Sequence, residues 1–143
     1  MALVGSVCLL LLVATTGIHY EVLRLLTAWL PVLRVQPRFK LIVVIAGAFC
    51  AHAVEILLYG AGYYLLATFL GQGSMGENLP LPFARCLYFS AETYTSLGYG
   101  DVLPHGDLRL LAGMEALNGL LLIGWTTSYT YIAMERFWDP ENK

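Results

Sequence analysis

The sequence predicts an all-α membrane protein, with three transmembrane helices and a shorter re-entrant helix and glycine-punctuated loop between the second and third. Three observations lead there. Of 143 residues, 58% are hydrophobic and 13% charged, with a mean hydropathy of +0.67; a soluble domain carries about twice that charge. Three segments are long and apolar enough for a hydrocarbon core, which takes ~20 helical residues. Before the third lies a stretch too short to span, running into Thr95-Ser96-Leu97-Gly98-Tyr99-Gly100-Asp101.

The first span is Ala2 to Tyr20, which holds no Lys, Arg, Asp or Glu. A cleaved signal peptide is the alternative, but the segment lacks a basic n-region. Residues His19 to Val35 either continue this helix or lie on the surface. Val22, Leu25, Leu26, Trp29 and Leu33 make one apolar face, and Pro31 and Pro37 break the pattern. Residues 1–40 thus form a transmembrane helix and basic linker, ahead of a second unit over 41–143.

The second span, 41–70, is interrupted by His52 and Glu55, and the third, 108–137, by Arg109 and Glu115. As helices each reaches ~45 Å, more than a ~30 Å core, so tilt or protruding ends are expected. His52 and Glu55 share one helix face. Glu115 and Asn118 lie within reach of Tyr59 or Tyr63, and structural hydrogen bonding is the favoured role for these groups.

Charge sets the orientation. Arg24, Arg34, Arg38 and Lys40 lie between the first two spans, and Arg136 and Lys143 after the third. That side is cytoplasmic by the positive-inside rule, which puts the N-terminus and the glycine loop outside and the C-terminus inside. The formal net charge of -2 is too small to suggest a nucleic-acid partner. Cys8, Cys50 and Cys86 read as free thiols. No metal-ligand spacing, nucleophile elbow or phosphate loop appears, so no enzyme activity is expected. The chain ends soon after the third span, and no cytoplasmic ligand-binding domain is expected.

Residues 71–82 are rich in Gly and Pro and read as an outer turret; Pro80 and Pro82 suit a helix start. Residues 83–95 fit a re-entrant helix whose C-terminal, negative end favours a cation. In 96–101, Gly98 and Gly100 permit backbone angles that aim successive carbonyls at one axis, where they can replace an ion's hydration shell. Asp101, Asp107 and Glu77 make the outer mouth acidic, although Glu77 fits ordinary loop solvation better.

Leu87-Tyr88-Phe89-Ser90-Ala91-Glu92-Thr93-Tyr94-Thr95, the loop, and Val102-Leu103-Pro104 together resemble the pore loop of the potassium channel superfamily, of the small bacterial two-transmembrane-pore type. The usual filter has Val where Leu97 stands and Thr where Ser96 stands. The resemblance implies potassium sites at the carbonyls of Ser96, Leu97, Gly98 and Tyr99, with the Ser96 hydroxyl completing the innermost one. Thr95 matches the first Thr of the filter, and Gly100 and Asp101 form its outer mouth. One loop cannot surround an ion, so a symmetric homotetramer is implied.

Further roles follow from the same resemblance. Glu92 and Asp101 match a carboxyl pair behind the filter, local bonding of Glu92 being the alternative; Tyr88 stands where some relatives have a Trp that bonds the Asp. On the third span Gly119 and Gly124 match a hinge position and a second glycine, acting as hinge or close-packing sites. Leu120, Ile123, Thr127 and Tyr131 form a cavity-lining stripe. Glu135 makes a ring at the inner mouth or pairs with Arg136. The N-terminal helix is extra to the two-span unit and packs peripherally against the second span.

The expected function is passive potassium conduction by a homotetramer in the cell membrane, specifically a bacterial inner membrane. Its partners are its own copies, lipid and the permeant K+, with no organic cofactor. Alternatives are a weakly selective Na+/K+ channel and a non-conducting regulatory subunit. An ion-coupled transporter subunit fails on length, since the chain has a single pore loop. No regularly spaced arginines suggest a voltage sensor.

Overall fold

The structure, a computed structural model, describes residues 1–76 and 82–138. Among these, the regular elements are four helices: α1 (Ala2–Trp29), α2 (Pro37–Thr68), α3 (Phe83–Tyr94) and α4 (Leu108–Trp138). Glu77, Pro80 and Lys143, each given a place above, lie outside the described residues.

Local chemistry explains the boundaries. α1 runs past Tyr20 to Trp29, so the apolar face of Val22, Leu25, Leu26 and Trp29 continues the first helix. The chain then turns at Leu30–Val32, where Pro31 cannot continue a helical ladder. α2 begins at Pro37 rather than Leu41 because proline suits the first helical turn, where its missing N–H has no partner to lose. It ends at Thr68, and Gly71 follows in the left-handed region at φ 58°.

α1, α2 and α4 are each long and apolar enough to cross a membrane. Their side chains are sorted opposite to those of a water-soluble bundle. Thr15, His19, Glu55, Ser90, Glu92, Glu115 and Asn118 are buried, while Leu9, Leu10, Val13, Phe49 and Ile42 are exposed. That sorting suits hydrocarbon outside and satisfied polar groups within.

α1 does not sit at the periphery of α2 alone, as expected; it packs against both α2 and α4. Leu11 and Leu26 of α1 seat over Gly62 and Gly47 of α2. Asn118 of α4 donates to Thr15 Oγ1 at 2.8 Å, and Thr27 Oγ1 meets Tyr129 Oη at 3.0 Å. Val4 and Cys8 share one core with Tyr59, Tyr63 and Leu111. Hydrogen-bonding side chains spaced along α1 make a second partner possible, which hydropathy does not register.

α3 is re-entrant. The segment before it is tied to the segment after the loop: Met75 bridges Pro104, and His105 N–H donates to Ser74 O at 2.9 Å. From that end α3 descends between α2 and α4 until Tyr94 reaches His52, midway along α2, and Gly119 of α4. Residues 96–104 return the chain to the end it left.

Candidate pore loop

The loop begins as a helix C-cap. Ser96 N–H donates to Thr93 O at 3.0 Å and Leu97 N–H to Glu92 O at 2.8 Å. With Thr95 as the cap residue and Ser96 at φ 57°, these bonds are the two that define a Schellman ending. Glycine usually holds that left-handed position; a serine there costs roughly 1 kcal/mol. The resemblance implies only an ion-facing role for Ser96, and nothing in a serine announces a left-handed cap.

The bonding then continues in one direction. Gly98 N–H donates to Glu92 O at 3.3 Å and Tyr99 N–H to Glu92 Oε2 at 3.1 Å. Four successive amides, 96 to 99, are thereby tied back to the end of α3. Among the described residues, none of the carbonyls of Ser96, Leu97, Gly98 and Tyr99 accepts a hydrogen bond. These residues are exposed on the single chain, so their carbonyls are free to accept from water or to meet a cation from outside the chain.

The dihedrals explain how amides and carbonyls separate. Ser96, Gly98 and Gly100 have φ of 57°, 56° and 79°, while Leu97 and Tyr99 between them do not have positive φ. A strand turns successive residues to opposite sides; alternating the sign of φ turns successive peptide planes the same way, the geometry that makes concave ion sites from backbone groups. Leu97 and Tyr99 put their side chains outward, 57% and 68% exposed in the single chain. The Thr95 hydroxyl turns back to Ala91 O at 2.7 Å.

The expected carboxyl pair is replaced by two separate bonds. Glu92 is buried and holds the Tyr99 amide, whereas Asp101 accepts the Tyr88 hydroxyl at 3.3 Å. The local alternative for Glu92 is the arrangement present, and Tyr88 does reach Asp101.

A family model described as "Ion channel" matches residues 51–136, which is more than half of the chain. The chain belongs to this ion-channel family. The match covers the C-terminal half of α2, all of α3, the loop and nearly all of α4. No curated protein matches the chain. With three apolar helices of spanning length, this channel-family protein is a multi-pass membrane protein.

Two buried clusters fix the channel's loop to its scaffold. Glu115 of α4 receives the hydroxyls of Tyr63 of α2 and Ser90 of α3, while Ser90 also reaches Ile56 O at 2.8 Å. Asn118 adds Tyr59 Oη at 3.2 Å. Deeper, Tyr94 donates to Glu55 Oε2 and lies 2.9 Å from His52 Nδ1. The expected contacts of Glu115 with Tyr63, of Asn118 with Tyr59 and of His52 with Glu55 are present, whereas Ser90 and Tyr94 join from α3 with no spacing signal.

Gly119 is a close-packing position: an added Cβ would run into the Tyr94 carbonyl. Gly124 has open space around it in the single chain. Along α4, Leu120, Thr127 and Tyr131 are exposed on the single chain, but Ile123 is half-buried against the core of its own chain. The stripe of four is therefore not uniform, because i, i+3, i+7 spacing bends around the helix enough to bring Ile123 inward. Glu135 is exposed and makes no ion pair with Arg136 among the described residues.

Proposed function

We propose that the protein is the subunit of a homotetrameric potassium-selective channel, conducting K+ passively across a cell membrane. Its filter is Thr95-Ser96-Leu97-Gly98-Tyr99-Gly100, followed by Asp101 at the outer mouth. The observation that carries this reading is the run of four unpartnered carbonyls at Ser96, Leu97, Gly98 and Tyr99, opposite four amides held by α3. Four such loops around an axis would give rings of carbonyl oxygens able to replace the hydration shell of K+. Desolvating an ion needs donors on every side, so the tetramer belongs to the mechanism.

In this mechanism K+ is the permeant substrate, and no organic cofactor takes part. Each ion sheds water as it passes from one carbonyl ring to the next. The Ser96 hydroxyl adds an oxygen at the innermost site. The negative end of α3 favours a cation in the space below the loop. Leu120, Thr127 and Tyr131 line that space and Glu135 its inner mouth. The outward loop and the cytoplasmic side of Arg34, Arg38, Lys40 and Arg136 set the orientation, with the N-terminus outside.

A weakly selective Na+/K+ channel is the second reading. It is favoured by Leu97 in the usual place of Val and by Tyr88, whose 3.3 Å bond to Asp101 is longer than a typical hydroxyl–carboxylate bond. The test is flux from purified protein in liposomes, loaded with potassium and diluted into sodium, with and without barium. Potassium-driven flux blocked by barium supports the selective reading. Equal sodium and potassium flux supports the second. Absence of flux over a range of pH on both faces favours a non-conducting subunit.

A further inference from the structure

We propose that His19, His52, Glu55 and Tyr94 form a binding site for a divalent transition-metal ion of the zinc class, where α1, α2 and α3 meet. The ligand atoms of His19, His52 and Glu55 all lie within 4.8 Å of one another. His19 Nδ1 is 2.9 Å from Glu55 Oε1, and His52 Nδ1 is 3.1 Å from Glu55 Oε2. Tyr94 Oη, 2.9 Å from His52 Nδ1, supplies a fourth donor. Bonds of ~2.0–2.2 Å to a tetrahedral ion hold its donors ~3.3 Å apart. The 2.9–3.1 Å contacts of the two Nδ1 atoms with Glu55 and Tyr94 are within a few tenths of an ångström of that spacing, the shorter Tyr94–Glu55 contact must open further, and the histidine and glutamate donors already lie within 4.8 Å of one another. Two imidazoles with a carboxylate and a phenol oxygen suit zinc, cobalt or copper better than magnesium or calcium.

The far side of the rings strengthens the case. Thr126 Oγ1 stands 2.9 Å from His52 Nε2 and 3.2 Å from His19 Nε2. Without a metal the single Thr126 hydroxyl serves both rings only if they take opposite tautomers, with His19 Nδ1–H toward Glu55 and His52 Nε2–H toward Thr126. If both Nδ1 atoms bind a metal, both Nε2–H groups donate to the two lone pairs of the Thr126 oxygen. One hydroxyl holding the remote nitrogens of two imidazoles is the kind of outer contact that orients metal-bound histidines. His19 and Glu55 are fully buried, and the His52 side chain keeps 17% of its surface exposed on the single chain. The thirty-two residues between the histidines hide the site from any spacing motif.

The experiment strips the purified full-length protein in detergent with a chelator and titrates it with Co2+, then Zn2+. It is run on protein carrying Cys50→Ser and His105→Ala, which removes an exposed thiol and an exposed imidazole outside the cluster. The expected result is one Co2+ per chain with the intense visible bands of four-coordination, displaced by Zn2+. His52→Gln and Glu55→Gln, checked for helical content and elution volume, weaken binding at least about 100-fold and abolish the zinc-dependent rise in melting temperature. Less than about 0.1 ion per chain overturns the proposal, as does binding unchanged in His52→Gln. If the variants do not fold, the parent spectrum decides: weak six-coordinate bands place the ion elsewhere and overturn it.

Discussion

The Glu92 carboxylate accepts the backbone N–H of Tyr99 at 3.1 Å, while the Glu92 backbone carbonyl takes Leu97 and Gly98. One buried residue therefore holds three amides of the loop, and the loop's carbonyls are left facing away. Glu92→Ala leaves the Tyr99 amide without its side-chain acceptor, which costs about 1–3 kcal/mol. The expected outcome is a K+/Na+ permeability ratio at least ~10-fold lower. Glu92→Gln, whose amide oxygen still accepts, keeps more of the selectivity than alanine does. Reversal potentials in planar bilayers measure both.

Ser96 holds the left-handed cap with its backbone and, in the proposed filter, offers its hydroxyl to the innermost site; glycine separates the two. Ser96→Gly removes the cost of a left-handed serine, offset in part by the greater freedom of an unfolded glycine. Stability in detergent should rise by ~0.5–1 kcal/mol, read from thermal unfolding, while the proposed innermost potassium site would lose an oxygen and bind more weakly. Lower stability in Ser96→Gly would contradict the C-cap assignment.

Much of this was legible in the sequence, and the reasons differ by element. The three long helices follow from apolar runs bounded by Pro31, Pro37 and the loops, since lipid permits few other spanning structures. The loop was legible because Gly98 and Gly100 mark where positive φ is needed. Its third left-handed residue, Ser96, was not, because the cap bonds that demand it involve residues already counted as helix. The Glu92–Asp101 pairing was expected from resemblance, yet Glu92 lies one helical turn and a loop from an amide that has no other acceptor. The placement of α1 against α4 depends on Thr15 meeting Asn118, a contact across 103 positions that no local pattern reveals.

Gly119 and Gly124 should respond oppositely to alanine. At Gly119 a Cβ meets the rigid Tyr94 carbonyl rather than a movable side chain, so overpacking of about 1–3 kcal/mol or more is expected. Gly119→Ala should melt earlier and disturb the loop that starts at Tyr94. Gly124→Ala has room and gains up to ~1 kcal/mol of helix propensity, so its melting temperature should hold or rise. Equal, mild effects at both would contradict the packing role of Gly119.

The Thr15–Asn118 bond predicts that α1 is coupled to the channel's inner helix rather than resting on its surface. In a double-mutant cycle with Thr15→Val and Asn118→Ala, the coupling energy should be ~1 kcal/mol, measured by thermal unfolding. A coupling of zero would show that the two helices are held by apolar contacts alone.

The most direct test of the central claim is the bi-ionic reversal potential of the reconstituted protein, with potassium on one side and an equal concentration of sodium on the other. The account predicts a reversal far from zero, in the direction of potassium selectivity, that collapses toward zero in Gly98→Ala, where φ 56° strains any side chain. A reversal at zero in the unaltered protein, unchanged by Gly98→Ala, would contradict it.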